Sequence, residues 1–110
     1  MRRGLVVTAL VMAFALSAAA GEWQGYLMDA MCAAKMNDKA AGHKAKCALS
    51  CARNGFGVVT ADGKYIKFDE AGNAKAHEAL KATAKESELT IKVTGTLDGE
   101  MIQVESLTIR

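Results

Sequence analysis

The sequence lacks a charge excess of either sign. Its 110 residues include 14 basic and 12 acidic ones, and two of the basic residues, Arg2 and Arg3, lie in an N-terminal segment that we expect to be removed. Without that segment, basic and acidic residues are equal in number, so the domain has little long-range attraction for phosphate backbones or anionic lipid. Aromatic residues make up only 5% of the chain, and a core needs most of them. We therefore expect no nucleic-acid partner, and no membrane partner for the mature protein.

Several catalytic signatures are also missing. The sequence has no C-x-x-C motif, which argues against a thioredoxin-like redox centre, and no C-x-x-C-H motif for covalent haem. It has no G-x-S-x-G motif and no phosphate-binding loop. No pair of carboxylates stands out for acid–base chemistry. We therefore expect a binding protein and not an enzyme.

The N-terminus has the pattern of a signal peptide. Arg2 and Arg3 precede an apolar run over residues 5–16, and the small residues 17–20 follow it. This order is typical of an export signal that is cleaved after an A-x-A site. The apolar run is shorter than the roughly 20 residues of a membrane-spanning helix, which argues against an uncleaved anchor. We predict a signal peptide over residues 1–20, cleavage near Ala20, and a single periplasmic or secreted domain over residues 21–110.

The mature chain alternates short strand patterns with two helical stretches. We predict strands at residues 22–28, 56–60 and 64–68, and two further alternating strands joined by a turn at Asp98-Gly99. Residues 29–55, rich in Ala and Cys, are predicted to form a helical insert after the first strand. A second helix is predicted at residues 74–85, with Asn73 as its N-cap. The alternation changes phase near Glu105, which predicts a β-bulge. This order predicts an α+β, mostly β protein, a five-stranded OB-like barrel. An open α+β sheet is the alternative.

All three cysteines lie in the insert, where any site chemistry is expected. Asp29 and Cys32 form D-x-x-C, and His43, Cys47 and Cys51 follow at spacings of four residues. Cysteine and histidine side chains are suitable ligands for Zn²⁺ or Cu⁺. The candidate metal ligands are therefore Cys32, His43, Cys47 and Cys51. On a regular helix, however, His43 and Cys51 are about 12 Å apart along the axis, too far to share one ion.

A disulfide is the structural alternative to a metal site. An exported protein meets an oxidising compartment, where neighbouring thiols pair. Cys47 and Cys51 stand one helical turn apart, so Cys32 is the expected partner of one of them. Closing such a loop contributes about 3 kcal/mol in the chain-entropy model. The remaining thiol is then free to bind a metal, to react, or to link two chains.

Two further residues have ordinary structural interpretations. His43 is expected in solvent at a helix start, with metal ligation as the alternative. Asp29 follows a strand and precedes a helix, so we expect it to be an N-cap, with catalysis as the alternative.

Three stretches carry a resemblance to a known group of proteins. They are G-Y-L-M-D-A-M-C at residues 25–32, H-K-A-K-C-A-L-S-C at 43–51, and V-T-G-T-L-D-G-E-M-I-Q-V at 93–104. Through them, residues 25–110 resemble small exported bacterial proteins of unknown function. The resemblance implies an OB-like barrel with a cysteine-bearing helical insert, and it implies no established activity or ligand.

Three functional hypotheses follow. The first is a non-enzymatic exported binding module, in which Cys32 pairs with Cys47 or Cys51, and the third Cys with His43 forms a soft-metal or thiol site. The second is a purely structural or protein-interaction domain, in which the odd Cys makes a disulfide-linked dimer or pairs with a partner. The third is a thiol-dependent redox enzyme that uses Cys47 with His43.

Overall fold

The structure, a computed structural model, describes residues 19–110. The predicted signal peptide therefore lies outside the described residues, except for Ala19 and Ala20. The strands are β1 (Ala19–Asp29), β2 (Phe56–Val59), β3 (Tyr65–Phe68), β4 (Thr90–Asp98) and β5 (Met101–Ile109). The α-helices are α1 (Ala30–Met36), α2 (Ala45–Ser50) and α3 (Glu70–Ala82), and two 3-10 helices span Asn37–Gly42 and Ala52–Asn54. None of the described helices is long and apolar enough to span a membrane.

The five strands close into a barrel in the order β1-β2-β3-β5-β4. Strand β1 makes the closure possible because it pairs with two neighbours, with β4 along Ala19–Tyr26 and with β2 from Tyr26 to Asp29. Only the short contact between β3 and β5 is parallel. This closed barrel confirms the predicted OB-like fold, and the open-sheet alternative is wrong.

The barrel interior holds the main hydrophobic core. Its buried members alternate along the strands, as the sequence pattern predicts. They include Leu27, Phe56, Val58, Phe68, Leu89, Ile91, Val93, Ile102 and Val104. Between β4 and β5 the register shifts, because Thr94 pairs with Ser106 while the next residue, Gly95, pairs with Val104. Glu105 is thus the extra residue, and the predicted bulge is confirmed.

Helix α3 begins earlier than predicted. Asp69 is its N-cap, and its carboxylate accepts hydrogen bonds from Gly72 N at 2.9 Å and from Val104 N at 3.1 Å. The predicted cap, Asn73, lies inside the helix and accepts a hydrogen bond from Phe56 N at 2.8 Å. The predicted start at residue 74 and the predicted cap at Asn73 are therefore wrong. Gly72, in the first turn of the helix, packs closely against Val104. A Cβ on this residue would be only 2.5 Å from the Val104 side chain, so only glycine fits there.

The insert, residues 29–55, divides into two halves that cover different parts of the barrel. Its first half, α1 and the following 3-10 helix, packs on the outer face of β1, β2 and β3. A second, smaller core forms there from Met28, Ala33, Ala40 and Val59, with Tyr26, Cys32 and Tyr65 packed against it. Its second half, α2, instead contributes Ala48 to the main core. A hydrogen bond from Ala30 N to Gly55 O, 2.9 Å long, holds the two ends of the insert together.

Candidate metal site

The site is built around the carboxylate of Asp29. Asp29 is the last residue of β1, and its side chain is completely buried. One oxygen, Oδ2, accepts a hydrogen bond from Cys32 N at 2.9 Å. This bond satisfies one of the free N–H groups in the first turn of α1, so Asp29 has the predicted role of an N-cap.

The other oxygen of Asp29 binds His43. The distance from His43 Nε2 to Asp29 Oδ1 is 2.8 Å, and both side chains are buried. An ionised carboxylate can only accept, so Nε2 is the donor. The expectation that His43 lies in solvent at a helix start is therefore wrong. Helix α2 begins two residues later, at Ala45, so His43 does not lie on one regular helix with Cys47 and Cys51.

Asp29 also lies close to two of the three cysteines. One ligand atom each from Asp29, Cys32 and Cys51 lies within 4.8 Å of the other two. Cys32 belongs to the first turn of α1, and Cys51 caps the C-terminus of α2. The three groups therefore come from three separate elements, which the path of the insert brings to one point.

Two of the predicted ligands lie outside this group. Cys47 is exposed, and His43 contacts the carboxylate of Asp29 instead of joining the sulfurs. Within the described part of the chain, no hydrogen bond joins His43 to Cys47. All three cysteines are free thiols, so the structure contains no disulfide between them. Of the two expected pairings, it brings Cys32 close to Cys51.

The environment favours the protonated form of Cys32. Burial, the thiol's hydrogen bond to Asp29 and the negative charge of that group together raise the pKa of the thiol to about 11, with burial as the largest cause. A thiol with so high a pKa is a poor nucleophile at neutral pH, because the thiolate is the reactive form. This argues against a catalytic Cys32. It does not prevent metal binding, since a bound cation displaces the thiol proton.

Tyr65 belongs to the surroundings of the site, although nothing in the sequence singles it out. Its hydroxyl is buried and has no hydrogen-bond partner among the described residues. Burial raises the pKa of this hydroxyl, and the charge of Asp29 raises it further. Tyr65 therefore stays a neutral donor near the carboxylate. Only its place in an alternating strand is visible in the sequence, and such alternation does not distinguish a packing ring from one that serves a site.

The donor set suits a soft or borderline cation. A tetrahedral ion with bonds of about 2.3 Å to sulfur and about 2.0 Å to oxygen places two sulfurs and one oxygen roughly 3.5 to 3.8 Å apart. The three atoms here lie within 4.8 Å of one another, so small side-chain rotations are enough to bind one ion. Two thiolates and a carboxylate select Zn²⁺ or Cu⁺ over Mg²⁺ or Ca²⁺. They supply three of four tetrahedral positions.

Comparison of the whole chain with protein-family models, with curated proteins and with solved structures finds no match. The resemblance to small exported bacterial proteins thus stays a prediction, and function is inferred from the geometry of the site.

Proposed function

We propose that this protein is an exported, non-enzymatic binding module that holds one soft metal ion, Zn²⁺ or Cu⁺, through Asp29, Cys32 and Cys51. The observation that carries the proposal is the convergence of their three ligand atoms within 4.8 Å. The proposal keeps two of the ligands expected from the sequence, replaces His43 by Asp29, and leaves Cys47 outside the site.

The surroundings of Asp29 support this role. Metal-ligating groups are commonly held by a hydrogen-bonded partner that fixes their orientation. His43 fills this position, because its Nε2 donates to Oδ1 of the buried carboxylate at 2.8 Å. His43 is then a positioning residue behind the ligand, not a ligand itself. The N-cap bond from Cys32 N fixes the second oxygen, so the carboxylate has one orientation.

The location of the site also supports binding. An ion held by Cys32 and Cys51 cross-links α1, on the outer face of the barrel, to α2, at its core. Both helices are short, seven and six residues. Helices of this length are unstable alone, so an ion that joins them contributes directly to the stability of the insert.

The test is a metal titration of the mature protein, reduced and freed of metal beforehand. We expect one Zn²⁺ per chain in competition with a chromophoric chelator. Cys32→Ser and Cys51→Ser should each weaken binding by more than the roughly 10- to 100-fold that loss of an outer partner costs. Cys47→Ser, in the same short helix but exposed, is the matched control and should bind as the wild type does. Absence of stoichiometric binding, or an equal loss in Cys47→Ser, would refute the ligand assignment.

The proximity of the two sulfurs favours a second candidate, a structural disulfide between Cys32 and Cys51. The same thiols cannot bind an ion and form this bond, so the two states exclude each other. In the oxidised state the protein is a stapled interaction domain, and exposed Cys47 is the free thiol that can link two chains. Alkylation of protein taken from the periplasm, before any reduction and then after denaturation, separates the candidates by intact mass. One alkylated cysteine supports the staple, and three with a native metal mass support the metal site.

A further inference from the structure

The buried hydroxyl of Tyr65 is energetically costly. A buried donor without a hydrogen-bond partner has lost its bonds to water and gained none in return. Orphaned polar groups are rare in native proteins, and those that persist often serve a bound ion, a water molecule or a functional site. Within the described residues, Tyr65 is the one side chain with a buried polar atom that lacks a partner.

The register of the strands shows where this hydroxyl lies. Tyr65 of β3 pairs with Val59 of β2, but its ring extends along β2 to Gly57. A Cβ on Gly57 would be only 2.6 Å from Cζ, the carbon that bears the hydroxyl. Gly57 in turn pairs with Met28, and the next pair along the same two strands contains Asp29. The ring thus points along β2 towards the end of β1 where Asp29 lies.

The same layer of side chains contains a metal ligand. Tyr65 and Cys32 both pack against the small core on the outer face of the barrel. The oxygens of Asp29 already accept from Cys32 N and His43 Nε2, and the Tyr65 hydroxyl bonds to neither of them. A free donor therefore points towards the end of β1 that carries Asp29, where the group of three ligand atoms leaves one tetrahedral position open.

We propose that Tyr65 donates its hydrogen bond to an exogenous ligand at the fourth position of the bound metal, a water molecule that a small monoanion can replace. This inference rests on the proposed function, because it requires an ion held by Asp29, Cys32 and Cys51. Metal sites with three protein ligands keep an open position for water or another ligand, whereas closed structural sites use four protein ligands. The competing occupant is Cys47, one helical turn before Cys51.

Cobalt is the probe, because the visible spectrum of Co²⁺ responds to changes in its ligands. The full mature protein is loaded with Co²⁺ under reducing conditions and titrated with azide. The variants are Tyr65→Phe, Cys47→Ser and, as the matched control, Tyr26→Phe, which removes the hydroxyl of the other tyrosine on the same small core. Tyr65→Phe keeps the ring, and its thermal stability without metal should equal or exceed that of the wild type, since the lost hydroxyl has no partner.

We expect azide to change the wild-type spectrum with saturable binding. A hydrogen bond to an anion is stronger than one to the water that the anion replaces, so Tyr65→Phe should weaken azide binding about 5-fold. Tyr26→Phe should leave azide binding unchanged, and Tyr26→Phe and Cys47→Ser should bind Co²⁺ itself as the wild type does.

Results that overturn the inference about Tyr65 can be distinguished from failure of the proposed metal site. If Co²⁺ binds but azide has no effect until Cys47 is replaced by Ser, then Cys47 fills the fourth position and the inference about Tyr65 is wrong. Equal azide affinity in Tyr65→Phe and the wild type overturns it as well. If the protein binds no Co²⁺ at all, the proposed function fails, and this inference fails with it.

Discussion

The bond between Asp29 and His43 should be a large contributor to the stability of the metal-free domain. Replacing Asp29 by Ala removes the N-cap of α1, which costs about 1 kcal/mol. It also removes the acceptor of a buried hydrogen bond to a charged group, worth about 1.5 to 3 kcal/mol. The expected loss is thus about 2.5 to 4 kcal/mol in the free energy of unfolding. Small domains are stable by only about 5 to 15 kcal/mol, so this is a substantial fraction.

A double-mutant cycle isolates the contribution of this bond. Asp29→Ala, His43→Ala and the double variant are unfolded in urea, with a chelator and a reducing agent present so that neither metal nor disulfide contributes. We expect a coupling energy of about 1.5 to 3 kcal/mol between the two positions. Because 1 kcal/mol shifts the melting temperature of such a domain by about 4 to 8 °C, Asp29→Ala should melt at least about 10 °C below the wild type.

Asp69 provides the matched control for this cycle. It is also an N-cap whose carboxylate accepts two hydrogen bonds, but both come from backbone N–H groups and none from His43. Asp69→Ala should therefore destabilise the domain, and its effect should add to that of His43→Ala without coupling. Additivity of Asp29→Ala and His43→Ala within about 0.5 kcal/mol would show that the buried contact contributes nothing specific.

Three further predictions concern protons, thiols and glycines. Since the pKa of Cys32 is raised to about 11, metal must displace a proton at neutral pH, so Zn²⁺ affinity in chelator competition should rise at least about tenfold per pH unit from 6 to 9; a flat profile would contradict this. Iodoacetamide should label exposed Cys47 before Cys32 in the folded, metal-free protein, as peptide mass mapping will show, and the reverse order would mean that the burial assigned to these thiols is wrong. Gly25→Ala should cost about 1 to 3 kcal/mol in urea unfolding, because a Cβ there would be 2.1 Å from Val59 O. Gly42→Ala, with open space around it, is its control and should be nearly neutral.

The barrel could be predicted because the sequence patterns that specify its strands and turns are local. Alternating apolar residues mark each strand, and the turns at Gly63 and Gly99 have the positive φ angles that glycine adopts without strain. Even the bulge at Glu105 was visible as a change of phase. The start of α3 was not, because Gly72 is typical of a turn in sequence. Its position in a helix depends on packing against Val104, which is distant in the chain.

The site was only half predictable for a similar reason. The D-x-x-C motif of Asp29 and Cys32 is local in sequence. Helix geometry places the side chain of an N-cap residue within reach of the backbone N–H three residues later, so the bond from Cys32 N to Asp29 could be predicted. The contact of Asp29 with His43 depends instead on how the insert turns between α1 and α2. Lys39 has non-helical backbone angles at a kink in the first 3-10 helix, so the spacing along one regular helix no longer holds. The approach of Cys51 to Cys32 depends on the same turn.

The hydrogen bond between Ala30 and Gly55 has a consequence for how the domain opens. Because the insert leaves and rejoins the barrel at one point, its detachment would break the backbone hydrogen bonds of Ala41 and Ala45 to residues 86–88 but not the pairing of β1 with β2 or β4. Segments of this kind form separate units of local unfolding, whose opening free energy is lower than that of the whole domain. Amide hydrogens of α1 and α2 should therefore exchange with solvent through an opening that leaves β4 and β5 protected. Each such opening uncovers the outer face of β1, β2 and β3 and exposes to solvent the small core that α1 covers in the closed state.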